Sequence, residues 1–178
     1  MLCFEPLPSA ITRFRDQYHQ EMYNGNVRLC GFALGDKNGT EKLHITSGDG
    51  QGSSLLLPTE AYQKEHPEYD YAADETVEIL IRRFEDLVKN EDIEFDPDLY
   101  DCLTIDTQGN EMDVLKGIGD YLKGFKYLNI ELSEPIVYEG GVSGTKVAEY
   151  LKERGFVQDS PMEAHNDVFF VREDVWHA

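Results

Sequence analysis

The chain has 178 residues, 40% of them hydrophobic, which is the size of one domain built on a single core. Its 35 acidic and 16 basic residues leave a net charge of −19, and a surface that negative repels phosphate backbones and anionic lipid heads, so nucleic acid and membrane are poor partners. Cys3, Cys30 and Cys102 form no CxxC pair, no apolar run reaches the roughly 18 residues of a membrane span, and no secretory leader is visible, which together suit a reducing cytoplasm.

Residues 1–5, MLCFE, predict a strand ending at Glu5-Pro6. Ser9 is the expected N-cap of a helix whose Ile11, Phe14, Tyr18 and Met22 share a face. A turn leads to a strand over Val27–Leu34, and KNGTEKLHIT reads as a turn and another strand. SGDGQGSS is glycine-rich, and Pro58–Asp74 is a polar, aromatic surface excursion. A strand over Val77–Ile81 turns helical from Phe84, and EFDPDLYD is a loop. CLTID, Cys102–Asp106, is a strand whose neighbours are apolar enough for a central position. NEMDVLKGIGDYLKG follows as a helix with Met112, Leu115 and Ile118 on one face and a stop at Gly124. KYLNIELS is a strand, GTKVAEYLKERG is a helix between Thr145 and Gly155, and FVQDSP with DVFFVRE forms a closing hairpin. Each cysteine falls in an apolar strand-like run, where it packs as a small hydrophobe.

Strands alternating with helices predict one α/β domain over 1–178, with a mostly parallel sheet, helices on both faces and an antiparallel strand at an edge. The strands near 1–5, 27–34, 101–106, 126–132, 156–158 and 167–172 are expected in one sheet.

Open α/β sheets bind ligands beyond the carboxyl ends of their strands, so acids placed there are candidates for chemistry. Glu5 ends the first strand, where its two oxygens can take the two hydroxyls of a ribose, or where it is simply a surface glutamate. Asp106 ends its strand beside Gly109 and reads either as a group that orients or deprotonates a hydroxyl or as a helix N-cap. Glu131 meets Asp106 at one rim if their strands are neighbours, with Gln108 as a neutral hydrogen-bonding partner. His165 with Asn166 precedes the last strand and can reach that rim, while none of the five histidines has a metal-ligand partner at local spacing. SGDGQG lacks the lysine and the strand–loop–helix setting of a phosphate loop, and no G-x-S-x-G nucleophile motif occurs.

In this order the pieces resemble the FkbM family of S-adenosylmethionine-dependent methyltransferases. The carriers are CFEPLPSAITRF, VRLCGFALGDKNGTEKLHI, GSSL, LTIDTQGNEMDVLKG, NIELSE and VYEGG. LTIDTQGNEMDVLKG is the most specific, close to the family's Asp-x-x-Gly-x-Glu-x-x-Val-Leu-x-Gly. Phe84-Glu85 stands where the family has Leu-Asp. The resemblance implies a Rossmann-like class I methyltransferase fold that moves a methyl group from S-adenosylmethionine to oxygen, often on a sugar or glycan. It implies Glu5 and Pro6 at the cofactor ribose, Ala33 and Leu34 near its adenine, and Asp106, Gln108 and Glu131 on the acceptor side.

The family's first strand and its glycine-rich turn have no counterpart here, since Met1 stands where the second strand begins. Three readings follow: a piece of a longer enzyme, a shortened interaction module without cofactor, or a chain completed by a strand from another copy or partner. Each leads to weak cofactor binding or none by these 178 residues, and to a second strand that either slides against the fourth or waits for another chain.

Overall fold

The computed structural model of the chain describes residues 1–46, 50, 52–67 and 75–177. Most of SGDGQG and the end of the Pro58–Asp74 excursion lie outside the described residues.

β1 (Leu2–Phe4) opens the chain, and α1 (Pro8–Gln17) and α2 (His19–Tyr23) follow. Pro8, not Ser9, sets the start of α1, with Leu7 as the capping residue. The first helical position needs no N–H and favours the φ that proline already has. The helix expected through Met22 breaks at Tyr18 into two pieces.

The strand expected over Val27–Leu34 is two short strands, β2 (Arg28–Cys30) and β3 (Ala33–Leu34), and they join different sheets. β1 pairs with β2 in parallel. β3 pairs in parallel with β5 (Thr76–Arg82), and β5 pairs antiparallel with β4 (Gly39–His44). Between β4 and β5, α3 (Glu60–Glu65) is capped by Thr59, whose side chain accepts from Tyr62 N. After β5, α4 (Phe84–Lys89) begins where the sequence predicts it.

The third sheet has the order β6 (Cys102–Ile105), β7 (Tyr127–Ser133), β9 (His165–Arg172), β8 (Phe156–Gln158). β6 and β7 are parallel neighbours, as expected, and the closing hairpin is β8 against β9, with β9 also antiparallel to β7. α5 (Glu111–Ile118), α6 (Gly144–Lys152) and α7 (Glu173–Trp176) complete the elements. α5 stops before Gly124, because Gly119 turns to φ +62° and a 3₁₀ turn covers Gly119–Gly124.

The single sheet is therefore corrected to three among the described residues. β1 neither slides against β6 nor shares a sheet with it. Strands of two and three residues carry too few ladder bonds to force one continuous register.

The expectation of helices on both faces is corrected for the β6–β7–β9–β8 sheet. Side chains alternate across a strand, and here one set is core. Ile105, Leu128, Ile130, Leu132, Val168 and Phe170 are buried in one cluster with Leu115 and Ile118 of α5 and Val147 and Leu151 of α6. The other set is mostly open or half-open: Cys102 and Thr104 are exposed, Tyr127, Asn129, Glu131 and Phe169 are half-buried, and Val171, opposite Tyr127, is the buried exception. Among the described residues, that is the pattern of a sheet packed chiefly on one side. It also corrects two local expectations. β6 is an edge strand rather than a central one, and Cys102 is exposed while Cys30 alone is fully buried.

Candidate active site

The parallel register of β6 and β7 ends with Ile105 opposite Ile130. One residue further come Asp106 and Glu131, and both therefore fall on the half-open face, at the carboxyl ends of their strands. Gln108 ties them together. Its Nε2 donates to Asp106 Oδ1 at 2.8 Å and to Glu131 Oε2 at 2.5 Å. Its Oε1 accepts from Tyr138 OH at 2.6 Å, and its backbone carbonyl accepts from Ser54 Oγ at 2.6 Å. Both amide hydrogens are used, so the amide has one orientation.

Gln108 has φ +54°, a left-handed backbone that costs a non-glycine residue about 1–3 kcal/mol and persists where the surroundings over-determine it. The four hydrogen bonds supply that constraint. Gly109 follows at φ +101°, and a Cβ there would meet the Tyr138 ring at 2.8 Å. Its glycine serves two ends: the turn and the close approach of Tyr138.

Behind this turn lies Glu111, only 6% exposed. Its Oε1 accepts from Thr107 N and Thr107 Oγ1, each at 3.2 Å, and from Gly109 N at 3.0 Å. Burial raises its carboxyl above the usual carboxylate range, with these hydrogen bonds opposing the shift only in part. Glu111 is thus the peg of the 107–109 loop. It, rather than Asp106, serves the start of α5, where Asn110 is the capping residue and makes no side-chain cap.

Tyr138 is positioned from the other side. Pro58 and Tyr138 form an isolated antiparallel bridge, Thr59 N donates to Val137 O, and Glu139 N donates to Leu57 O. Ser54, 2% exposed, also accepts from Leu56 N. The short GSSL element is therefore a strut under Gln108.

His165 begins β9, opposite Ser133. Its Nε2 lies 3.3 Å from Glu131 Oε1, and its Nδ1 is hydrogen-bonded to Ser133 Oγ at 2.5 Å. Gly109, Glu131, Ser133, Ile136, Tyr138 and His165 line one cleft.

The electrostatics separate the two acids. Partial burial, opposed by the Gln108 hydrogen bond and reinforced by the Glu131 charge, pushes Asp106 up to about 6. Asp106 is exposed as a residue, so solvent screening tempers the energy behind that shift. Glu131 moves the other way, held below the usual carboxylate range chiefly by the His165 hydrogen bond. His165 is raised by the same contact.

The remaining predicted residues have other partners. Glu5 lies just past β1, where its Oε1 accepts from Leu7 N at 2.7 Å and its N donates to Cys30 O. Pro6 follows it. Ala33 and Leu34 form β3, opposite Ile81 and Arg82. Among the described residues, none of these four is hydrogen-bonded to Asp106, Gln108 or Glu131. No helix among the described residues is long and apolar enough to cross a membrane.

Sequence reasoning missed Glu111, Tyr138 and Ser54 as working parts. The signal for Glu111 was its place just after Gly109, where a carboxylate meets the free N–H groups of a turn. Tyr138 and Ser54 join the site through long-range pairing; VYEGG and GSSL marked them only as family motifs, without a place in the site.

Over 171 residues the chain is 28% identical to the "2-O-methyltransferase NoeI" of Sinorhizobium fredii (strain NBRC 101917 / NGR234), covering 94% of this chain and 68% of that protein. No solved structure matches the chain. The Methyltransferase FkbM domain matches residues 1–157, a span that holds β1, the Ser54 strut, the Asp106–Gln108 turn, Glu131 and Tyr138. The chain belongs to the FkbM methyltransferase family.

Proposed function

We propose that this chain carries the site of an S-adenosylmethionine-dependent O-methyltransferase acting on a hydroxyl of a sugar or glycan. The observation that carries the reading is the pair of carboxylates, Asp106 and Glu131, bridged by one Gln108 amide, with Glu131 lining a cleft. The named 2-O-methyltransferase relative supports oxygen as the receiving atom.

The residues present can supply part of a cofactor site, without the family's glycine-rich turn. The cleft residues include the carboxyl groups of Glu111 and Glu131 and no lysine or arginine, which suits a sulfonium better than an anion. The Leu7 N–H holds the Glu5 carboxylate in place through one oxygen, leaving the other for a ribose hydroxyl. Glu5 and Pro6 would take the ribose, and Ala33 and Leu34 would lie by the adenine. Bound there, the cofactor supplies an electrophilic methyl group.

Glu131 and Gln108 orient the acceptor hydroxyl, and Asp106 takes its proton as the oxygen becomes the nucleophile. A base whose pKa lies near 6 is largely ionised at neutral pH yet still basic enough to accept that proton. Holding the hydroxyl in line supplies most of the acceleration.

The test uses S-adenosylmethionine with a radiolabelled methyl group and a panel of neutral oligosaccharides. Label is expected in an ether on sugar oxygen, stable to mild base. Label released by base as a carboxyl ester, or fixed to nitrogen, would overturn the oxygen assignment.

A further inference from the structure

Two carboxylates bridged by one amide are nearly equivalent by chemistry, yet the site needs one of them to orient and the other to accept a proton. Something must break the symmetry. The Gln108 amide does not, since its Nε2 serves both acids. The difference lies on the far side of Glu131. Glu131 is held at both oxygens, Oε2 by Gln108 and Oε1 by His165 at 3.3 Å. Asp106 has Gln108 and the Glu131 carboxyl itself as neighbours.

We propose that His165 is a positioning residue of the acceptor site, which from the neighbouring strand holds Glu131 as the charged, orienting carboxylate and leaves Asp106 as the proton acceptor. The inference takes its chemistry from the hydroxyl-methylating reading, whereas its test does not depend on it.

The geometry supports this in three ways. His165 is the first residue of β9, so β7–β9 pairing delivers it next to Glu131. Ser133 Oγ on Nδ1 anchors the ring and turns Nε2 toward Glu131. The ring also lines the same cleft as Glu131 and Tyr138. The charged groups that act on His165 are acids on three elements: Glu131 on β7, Asp106 after β6 and Glu111 on α5. Each favours the imidazolium, and the imidazolium in turn favours an ionised Glu131. Environments that push paired titratable groups apart assign their roles. Because the three groups titrate together, the prediction concerns the order of their midpoints.

The test follows the side-chain carboxyl carbons of Asp106 and Glu131, and the ring nitrogens of His165, by NMR across a pH titration of the whole chain. In the wild type, Glu131 is expected to titrate below Asp106 and His165 above its usual 6.5. In His165→Gln, the Glu131 midpoint is expected to rise by about one pH unit or more, the size of a lost opposite charge at close range, closing the gap to Asp106. His165→Lys keeps a cation at the position and should restore the order of the two acids. His165 is about one-third exposed at its side chain and begins a strand, so both variants are expected to fold. Unchanged carboxyl midpoints in His165→Gln would overturn the proposal, as would a Lys variant that behaves like Gln. Correct titration order without any methyl transfer would instead count against the functional reading and leave this one standing.

Discussion

Replacing Asp106 with Asn is expected to lower methyl transfer by about 10²–10⁴-fold, the usual contribution of a general base, while the protein stays folded. Asn keeps the shape of the side chain and an oxygen for Gln108 Nε2, so the bridge to Glu131 survives. What disappears is the proposed proton acceptor. The wild-type rate should rise with pH through about 6, following ionisation of Asp106, and the variant should lose that limb. Stability gives an independent check of sign. The folded pKa of Asp106 lies above its ordinary 3.8, so the fold binds this proton more tightly than the unfolded chain does. Its contribution to stability is therefore full at low pH and falls as pH rises from 3.8 to about 6. Asn removes that fall. Wild-type turnover in Asp106→Asn would exclude the base role, and a loss of folding would make the residue structural.

Gly117→Ala is expected to be the most damaging single-methyl change in the chain. A Cβ at Gly117 would lie 1.9 Å from the carbonyl oxygen of Gly35 and 2.7 Å from its carbon. Both neighbours are backbone, so no side chain can swing away. Relief requires moving α5 off the turn after β3. Overpacking a core costs about 1–3 kcal/mol, occasionally more, and a rigid backbone contact belongs at the top of that range. That is a large part of the 5–15 kcal/mol that typically holds a domain together. Urea unfolding followed by circular dichroism should show the midpoint fall well below the wild type. Because α5 carries Glu111, which pegs the 107–109 loop, methyl transfer should fall with it. A variant with the wild-type midpoint would mean that α5 and the Gly35 turn are not in this contact. The glycine at the end of Asp-x-x-Gly-x-Glu-x-x-Val-Leu-x-Gly thus has a packing reason, as Gly109 has a conformational one.

The rim was legible in the sequence because it depends on short-range facts. Asp106 and Glu131 each end a strand with a clear apolar run, and neighbouring parallel strands bring such ends together. β4, β5, α4 and the closing hairpin were legible for similar local reasons. The sheet was not. Gly31-Phe32 interrupts an apolar run that looks continuous, and the chain uses the break to send β2 and β3 into different sheets. Exposure of Cys102 and Thr104 was hidden too, since apolar neighbours in sequence do not say which face of a strand is covered. Glu111 looked like one more acid on a helix, yet its burial follows from the turn folding over it. His165 was in view at the last strand. Its contact with Glu131 depends on antiparallel register between segments more than 30 residues apart, which spacing cannot fix.

We propose that cofactor and acceptor meet at the Asp106–Gln108–Glu131 rim. This placement is tested most directly by titrating the isotopically labelled chain with S-adenosylhomocysteine to millimolar concentration and mapping the NMR shifts. Saturable changes are expected in the backbone amides of Glu5, Ala33 and Leu34, together with the Gln108 side-chain amide and the 106–109 turn. Saturable binding that leaves the Gln108 amide and that turn unmoved would contradict the placement.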